Sequence, residues 1–187
     1  MRLIRTGRPA RPADRPGDSE AGQSLVEFAL ILTPLFMLLL GIVQFGFIFN
    51  SYVTLTNAAR DATREGTVHV YDRTKSKDLN DEARNERIRT TLMASMNLLS
   101  KTAPRFTTGS TWTETTGTNT KTYTNGDLRI TYTRPTSITE SDPRTGEQVT
   151  VAAAYHQDLI IPLIAELLPR DAGGRLVLTG ETTMVVN

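Results

Sequence analysis

Residues 22–49 read G-Q-S-L-V-E-F-A-L-I-L-T-P-L-F-M-L-L-L-G-I-V-Q-F-G-F-I-F. From Phe28 to Phe49 this stretch carries no formal charge over 22 residues. As a helix it would run about 33 Å at roughly 1.5 Å per residue, and the hydrocarbon core of a bilayer is about 30 Å thick. The segment is therefore long enough to cross a membrane. Thr33, Pro34 and Gln44 interrupt its apolar character. Pro34 removes one backbone hydrogen bond and predicts a kink, which membrane helices tolerate. A buried core helix is the bland alternative, but core helices rarely stay apolar on every face for so many turns. A cleavable secretory signal is the other rival. Its apolar region is usually about 7–15 residues and ends at a small-x-small site. Here the run is followed by Asn50-Ser51-Tyr52-Val53, with no Ala-x-Ala.

Working outward, the flanks set an orientation. Arg2, Arg5, Arg8, Arg11 and Arg15 precede the run, whereas only Arg60 and Arg64 lie within residues 50–66. The positive-inside rule then predicts a cytoplasmic N-terminus, with everything after residue 50 outside the cytoplasmic (inner) membrane. The arginines include no adjacent pair, so a twin-arginine signal is not indicated.

Residues 1–22 mix those arginines with Pro9, Pro12, Pro16, Gly7, Gly17 and Gly22 and show no apolar periodicity. They read as a disordered leader. Asp14, Asp18 and Glu20 dilute its basic charge, which argues against nucleic-acid binding. The whole chain of 187 residues holds 21 Lys+Arg against 20 Asp+Glu. That balance excludes a bulk polycation and an acidic tail. It has no cysteine, which excludes disulfides, zinc ribbons and thiol chemistry.

Beyond the apolar run, Tyr52, Leu55, Ala59 and Ala62 fall on one stripe at spacings of three and four, and Gly66 is a natural stop. One helix, apolar in its first half and amphipathic in its second, is expected over 23–66. A second helix is expected over Asp78–Ser100, with Asp78 as N-cap and Leu79, Ala83, Ile88, Leu92, Met96 and Leu99 on its core face. Residues 102–124 contain eleven threonines and almost no aliphatic side chains. Loop is expected there, giving way to a hairpin with arms Thr120–Thr124 and Asp127–Thr133 about an Asn125-Gly126 turn. Leu128, Ile130 and Tyr132 would share one face. Glu147–Tyr155 reads as a strand, Leu159–Leu168 as one or two helical turns broken by Pro162, and Leu176–Val186 as a terminal strand. The fold class is α+β: a long transmembrane helix continuing into an extracytoplasmic domain, 67–187, with a second helix and an antiparallel sheet of three or four strands.

Catalytic signatures are sparse. There is no G-x-S-x-G, P-loop, G-x-G-x-x-G or H-E-x-x-H motif. The two histidines, His69 and His156, read as surface residues. The spacing of Asp158 to His156 proves nothing by itself, and Glu140, Asp142 and Glu147 read as turn acids too loosely set for calcium. No catalytic residue, metal or cofactor is expected. One constellation does demand explanation: Glu27 sits inside the first turn of the membrane run. A carboxylate deep in a bilayer costs about 2.5–3.5 kcal/mol or more. Glu27 either sits at headgroup level, favouring a helix N-terminus, or pairs with something.

G-Q-S-L-V-E-F-A-L-I-L-T-P-L at Gly22–Leu35, G-I-V-Q-F-G at Gly41–Gly46 and N-A-A-R-D-A-T-R-E-G at Asn57–Gly66 together resemble the TadE-like family. These are type IV pilin-like pseudopilins, or minor pilins, of the Tad (tight-adherence) pilus system. V-T-V-A-A-A-Y and I-P-L within Val149–Leu163, and T-G-E-T-T-M-V-V at Thr179–Val186, are weaker echoes. The resemblance implies that a prepilin peptidase cuts after Gly22, so that the mature chain begins at Gln23. Glycine suits close backbone approach to a protease. Glu27 would then be the fifth mature residue, able to pair with the new α-amine of a neighbouring subunit. Pro34, Gly41 and Gly46 would lie in the packed helix of an assembly. The implied partners are the membrane, the prepilin peptidase, other pilin and pseudopilin subunits and the Tad assembly machinery, with adhesion as the downstream role. The alternative is an uncleaved, signal-anchored extracytoplasmic binding module. A membrane-tethered enzyme using His156 or Asp158 is the third reading.

Overall fold

The structure is a computed structural model and describes residues 18–102, 111–139 and 143–187. Its internal contacts divide the chain between Gly41 and Ile42 into two units. The reading of residues 1–17 as leader lies outside the described residues, and so do Glu140 and Asp142.

The first helix, α1 (Asp18–Thr67), is longer than expected and already contains Gly22. It is continuous through Pro34. Beside the proline the Thr33 hydroxyl donates to the Ala29 carbonyl at 2.9 Å. Leucine, isoleucine and phenylalanine side chains from Leu25 to Phe49 stay largely exposed. An apolar surface of that extent is costly in water and ordinary in lipid. By length and composition α1 can cross a membrane, and it is the one such helix among the described residues.

Past residue 50 the same helix becomes a core element. Leu55, Ala58, Ala59 and Ala62 are fully buried. Tyr52, expected on this stripe, is exposed instead. Ser51 is buried in its place, and the apolar part of the buried stripe begins at Leu55 and takes in Ala58. Small residues are needed because the sheet comes very close. A Cβ added at Gly180 would lie 2.9 Å from the Leu55 carbonyl oxygen and 3.0 Å from its carbonyl carbon. Backbone cannot rotate away as a side chain can. Gly180→Ala is therefore expected to destabilise the domain by about 1–3 kcal/mol through overpacking, read from thermal or chemical unfolding of the detergent-solubilised chain. Unchanged stability would show that helix and strand are less tightly apposed.

The second helix, α2 (Lys77–Met96), is capped by Ser76, whose hydroxyl accepts from the Leu79 amide at 3.4 Å. Asp78, expected in that role, is already inside the first turn, where its charge suits the helix dipole. Asn80 fixes the preceding loop: its side chain accepts from the Asp72 amide at 2.8 Å and donates to the Asp72 carbonyl at 2.9 Å. Ile88, Leu92 and Met96 enter the core as expected, but Leu79 is exposed. A short turn of helix, α3 (Leu99–Thr102), follows.

Among the described residues, five antiparallel strands form one sheet in sequence order: β1 (Thr113–Thr116), β2 (Thr120–Asn125), β3 (Leu128–Thr133), β4 (Gln148–Gln157) and β5 (Leu176–Val185). A single turn of helix, α4 (Pro162–Ala165), lies between the last two. The expected three or four strands become five because β1 forms where loop was read. All four β1 residues are exposed, so no hydrophobic alternation marks it. Asn125 pairs with Leu128, so the hairpin turn is Gly126-Asp127, one residue later than read. Gly126 has φ 57°, a conformation glycine adopts without a Cβ clash.

Leu128, Ile130 and Tyr132 face the core together, with Val149, Val151, Ala153 and Tyr155 of β4. On the other face five threonines stand in register across the whole sheet: Thr115, Thr122, Thr131, Thr150 and Thr183. Hydroxyls bond within this rank at Thr122–Thr131 (3.2 Å) and Thr150–Thr183 (2.7 Å). Threonine is β-branched and fits a pleated, half-exposed surface. That is how so polar a tract forms strands.

Candidate functional site

The residues singled out by sequence all lie on α1. Gly22 is open: a Cβ added there would meet no heavy atom within 4 Å, and the same holds for Gly46. The Gln23 side-chain amide donates to the Glu27 carboxylate at 2.9 Å, across one helical turn. Pro34 is inside the apolar run and Gly41 is half-buried. Gly22, Gln23, Glu27, Pro34 and Gly41 fall in one unit of the chain and Gly46 in the other. What Gly22–Phe28 presents is an accessible, uncrowded stretch of helix with one carboxylate at the edge of a long apolar surface.

Two polar clusters in the domain were not legible as sites. In the first, Arg144 is nearly buried and holds two carboxylates. Its Nε and Nη2 donate to Asp81 at 2.7 Å each, and its Nη1 donates to Glu147 at 2.6 Å. The guanidinium stacks over the Tyr132 ring at 4.2 Å. Tyr123 donates its hydroxyl to Asp81 at 2.9 Å, and Tyr132 donates to Asn85 at 2.7 Å. Burial alone would raise the Asp81 carboxyl, but the Arg144 hydrogen bonds and charge outweigh it and hold it below the usual range. Burial pushes the Tyr123 hydroxyl up to about 12. Glu147 is thus a buried ion-pair partner rather than a turn acid. The cluster has no nucleophile matched to a base, and it ties α2 to the sheet.

The second cluster corrects the reading of His156 as a surface residue. Its ring lies between Asp171 (Nδ1 to Oδ2, 2.6 Å) and Asp127 (Nε2 to Oδ1, 3.3 Å), and is largely covered. Asp158, its sequence neighbour, is exposed on the chain's next stretch. Asp171 also accepts from the Gly173 and Arg175 amides at 2.9 Å each, closing the loop before β5. The Arg175 backbone amide and then the His156 ring hold the Asp171 carboxyl down at about 2. A carboxyl so depressed contributes stability that is fully present above its unfolded pKa of about 4. It is lost as pH falls toward 2. Acid unfolding between those values is therefore expected to soften in Asp171→Asn, measured by circular dichroism across pH. An identical acid transition would contradict this.

His69 is half-buried, and burial followed by the nearby Arg84 charge lowers its pKa. Among the described residues no group of three or more histidine, aspartate or glutamate side chains is placed to hold a metal ion.

Fold and site together define a class: an α+β protein in which, among the described residues, one candidate membrane helix runs into an antiparallel-sheet domain. Residues 22–64 match the family described as TadE-like protein. The TadE-like resemblance read at Gly22–Gly66 is thereby supported over nearly its whole length. No curated protein and no solved structure matches the chain.

Proposed function

We propose that this chain is a TadE-like pseudopilin: a single-pass protein of the inner membrane, processed by a prepilin peptidase after Gly22 and used in assembling a Tad-type pilus. The observation that carries the proposal is the G-Q-S-L-V-E-F sequence opening an exposed apolar helix, inside the segment that matches the TadE-like family. Residues 1–22 are then a cytoplasmic leader, 23–66 the anchoring helix, and 67–187 the domain outside the membrane.

The local chemistry supports processing at this point. Proteases bind substrates in extended form, so the helix must open around Gly22–Gln23. Glycine makes that easier, since it disfavours a helix interior by about 1 kcal/mol relative to alanine. Nothing crowds the glycine. Cutting creates a cationic α-amine at Gln23, one turn from Glu27. In low dielectric an amine–carboxylate pair between neighbouring subunits fixes their register, because an unpaired charge there is costly.

The test is Glu27→Ala. Insertion and cleavage are expected to stay intact, because neither uses the carboxylate as a pair. Incorporation into sheared surface filaments is expected to fall about tenfold or more, since a neighbour's amine loses its partner in an apolar setting. If the variant assembles at the normal level, the pairing role is wrong.

A further inference from the structure

Gln44 is the one polar side chain between Thr33 and Asn50 in the apolar run, and it is fully buried. Its Oε1 accepts from the backbone amides of Ile160 at 2.9 Å and Ile161 at 3.3 Å. Gln44 lies short of the end of the run at Phe49. Five residues of helix rise only about 7.5 Å. The Leu159–Leu168 segment is therefore held against a level of α1 that is still apolar. Irregular backbone is tolerated at such a level only where protein satisfies its polar groups. Gln44 does that for two consecutive amides, which gives the glutamine a reason to be there.

The side chains of the segment fit the same setting. Ile160 is 66% exposed and Leu167 is 81% exposed, with no described element covering them. Charged groups accompany them: Asp158 stands two residues before Ile160, and Glu166, next to Leu167, pairs with Arg170 at 2.8 Å. Exposed apolar side chains with exposed charges beside them are the pattern of a segment lying in the interface of a bilayer, its apolar side chains in the acyl boundary and its charges among headgroups.

We propose that Leu159–Leu168 is a second membrane contact, seating Ile160 and Leu167 in the leaflet around the end of the α1 span. The occupant of this apolar patch is lipid. The inference rests on α1 being a membrane span, and the experiment separates the two.

The chain holds one tryptophan, Trp112. In a Trp112→Phe background of the full chain, single tryptophans are introduced as Leu167→Trp, Ile160→Trp, Leu38→Trp and Val70→Trp. Each protein is reconstituted into phosphatidylcholine vesicles with or without brominated acyl chains. Leu38 reports the span, and Val70, exposed on the loop after α1, reports water. The Leu38, Leu167 and Ile160 reporters are expected to lose emission to bromine, and the Val70 reporter to keep it. Quenching at Leu38 without quenching at Leu167 and Ile160 would leave the span intact and overturn the second contact, as it would if another protein covered the patch. Quenching at none of the three would overturn both.

Discussion

Asp81→Ala is expected to destabilise the domain by about 3–5 kcal/mol, the usual cost of stripping one partner from a buried ion pair. Asp81 accepts two of the three Arg144 hydrogen bonds to carboxylates and the Tyr123 hydroxyl besides. Without it, Arg144 keeps only Glu147, still under a tyrosine ring and away from water. Asp81→Asn keeps the shape but not the charge and should cost less. Chemical unfolding of the solubilised chain reads both. A loss below about 1 kcal/mol for the alanine variant would mean that water or a neighbour compensates the guanidinium, against the burial seen here.

Gly22→Trp is the second large effect. Processing is expected to stop, because the residue before the cut must lie against the protease backbone and an indole cannot. Gly22→Ala adds one methyl group in open space and should slow processing only modestly. The two together separate a steric requirement from a general loss of folding, since a Cβ at Gly22 meets no heavy atom within 4 Å. Normal cleavage of Gly22→Trp would count against a prepilin-type site.

Much of the fold was legible because its signals are periodic. The apolar run, the helix beyond it, the hairpin arms and the terminal strand all carry regular spacings, and all appear near their expected positions. Where periodicity is absent the reading failed. β1 has no buried residue, so it shows no alternation. It is held by ladder pairing to β2 across the short Gly117-Thr118-Asn119 connection, a hairpin that uniform threonine-rich composition does not mark. On α2 the apolar face was read correctly from Ile88 onward. Its first half buries Asn80, Asp81, Arg84 and Asn85 instead of aliphatics. Polar residues on a helix ordinarily mark the solvent side, so the pattern points to Leu79 and Ala83 as the core face of this half.

The candidate site divides the same way. Gly22, Gln23 and Glu27 stand out by motif and by the oddity of a charge beside a long apolar run. Apart from Glu147, three residues on from Arg144, the partners of Arg144 and His156 come from other elements: Asp81 on α2, and Asp127 and Asp171 in loops. No spacing could have paired them. In the sequence Gln44 is only a polar interruption of the run, whereas the structure makes it the acceptor for the Ile160 and Ile161 amides.

The central claim is processing ahead of the apolar helix, and the N-terminus of the protein from native membranes tests it most directly. Mass spectrometry is expected to find a chain that begins at Gln23, with or without a methyl group on its α-amine. An intact chain beginning at Met1 would contradict the account and leave an uncleaved, signal-anchored module in its place.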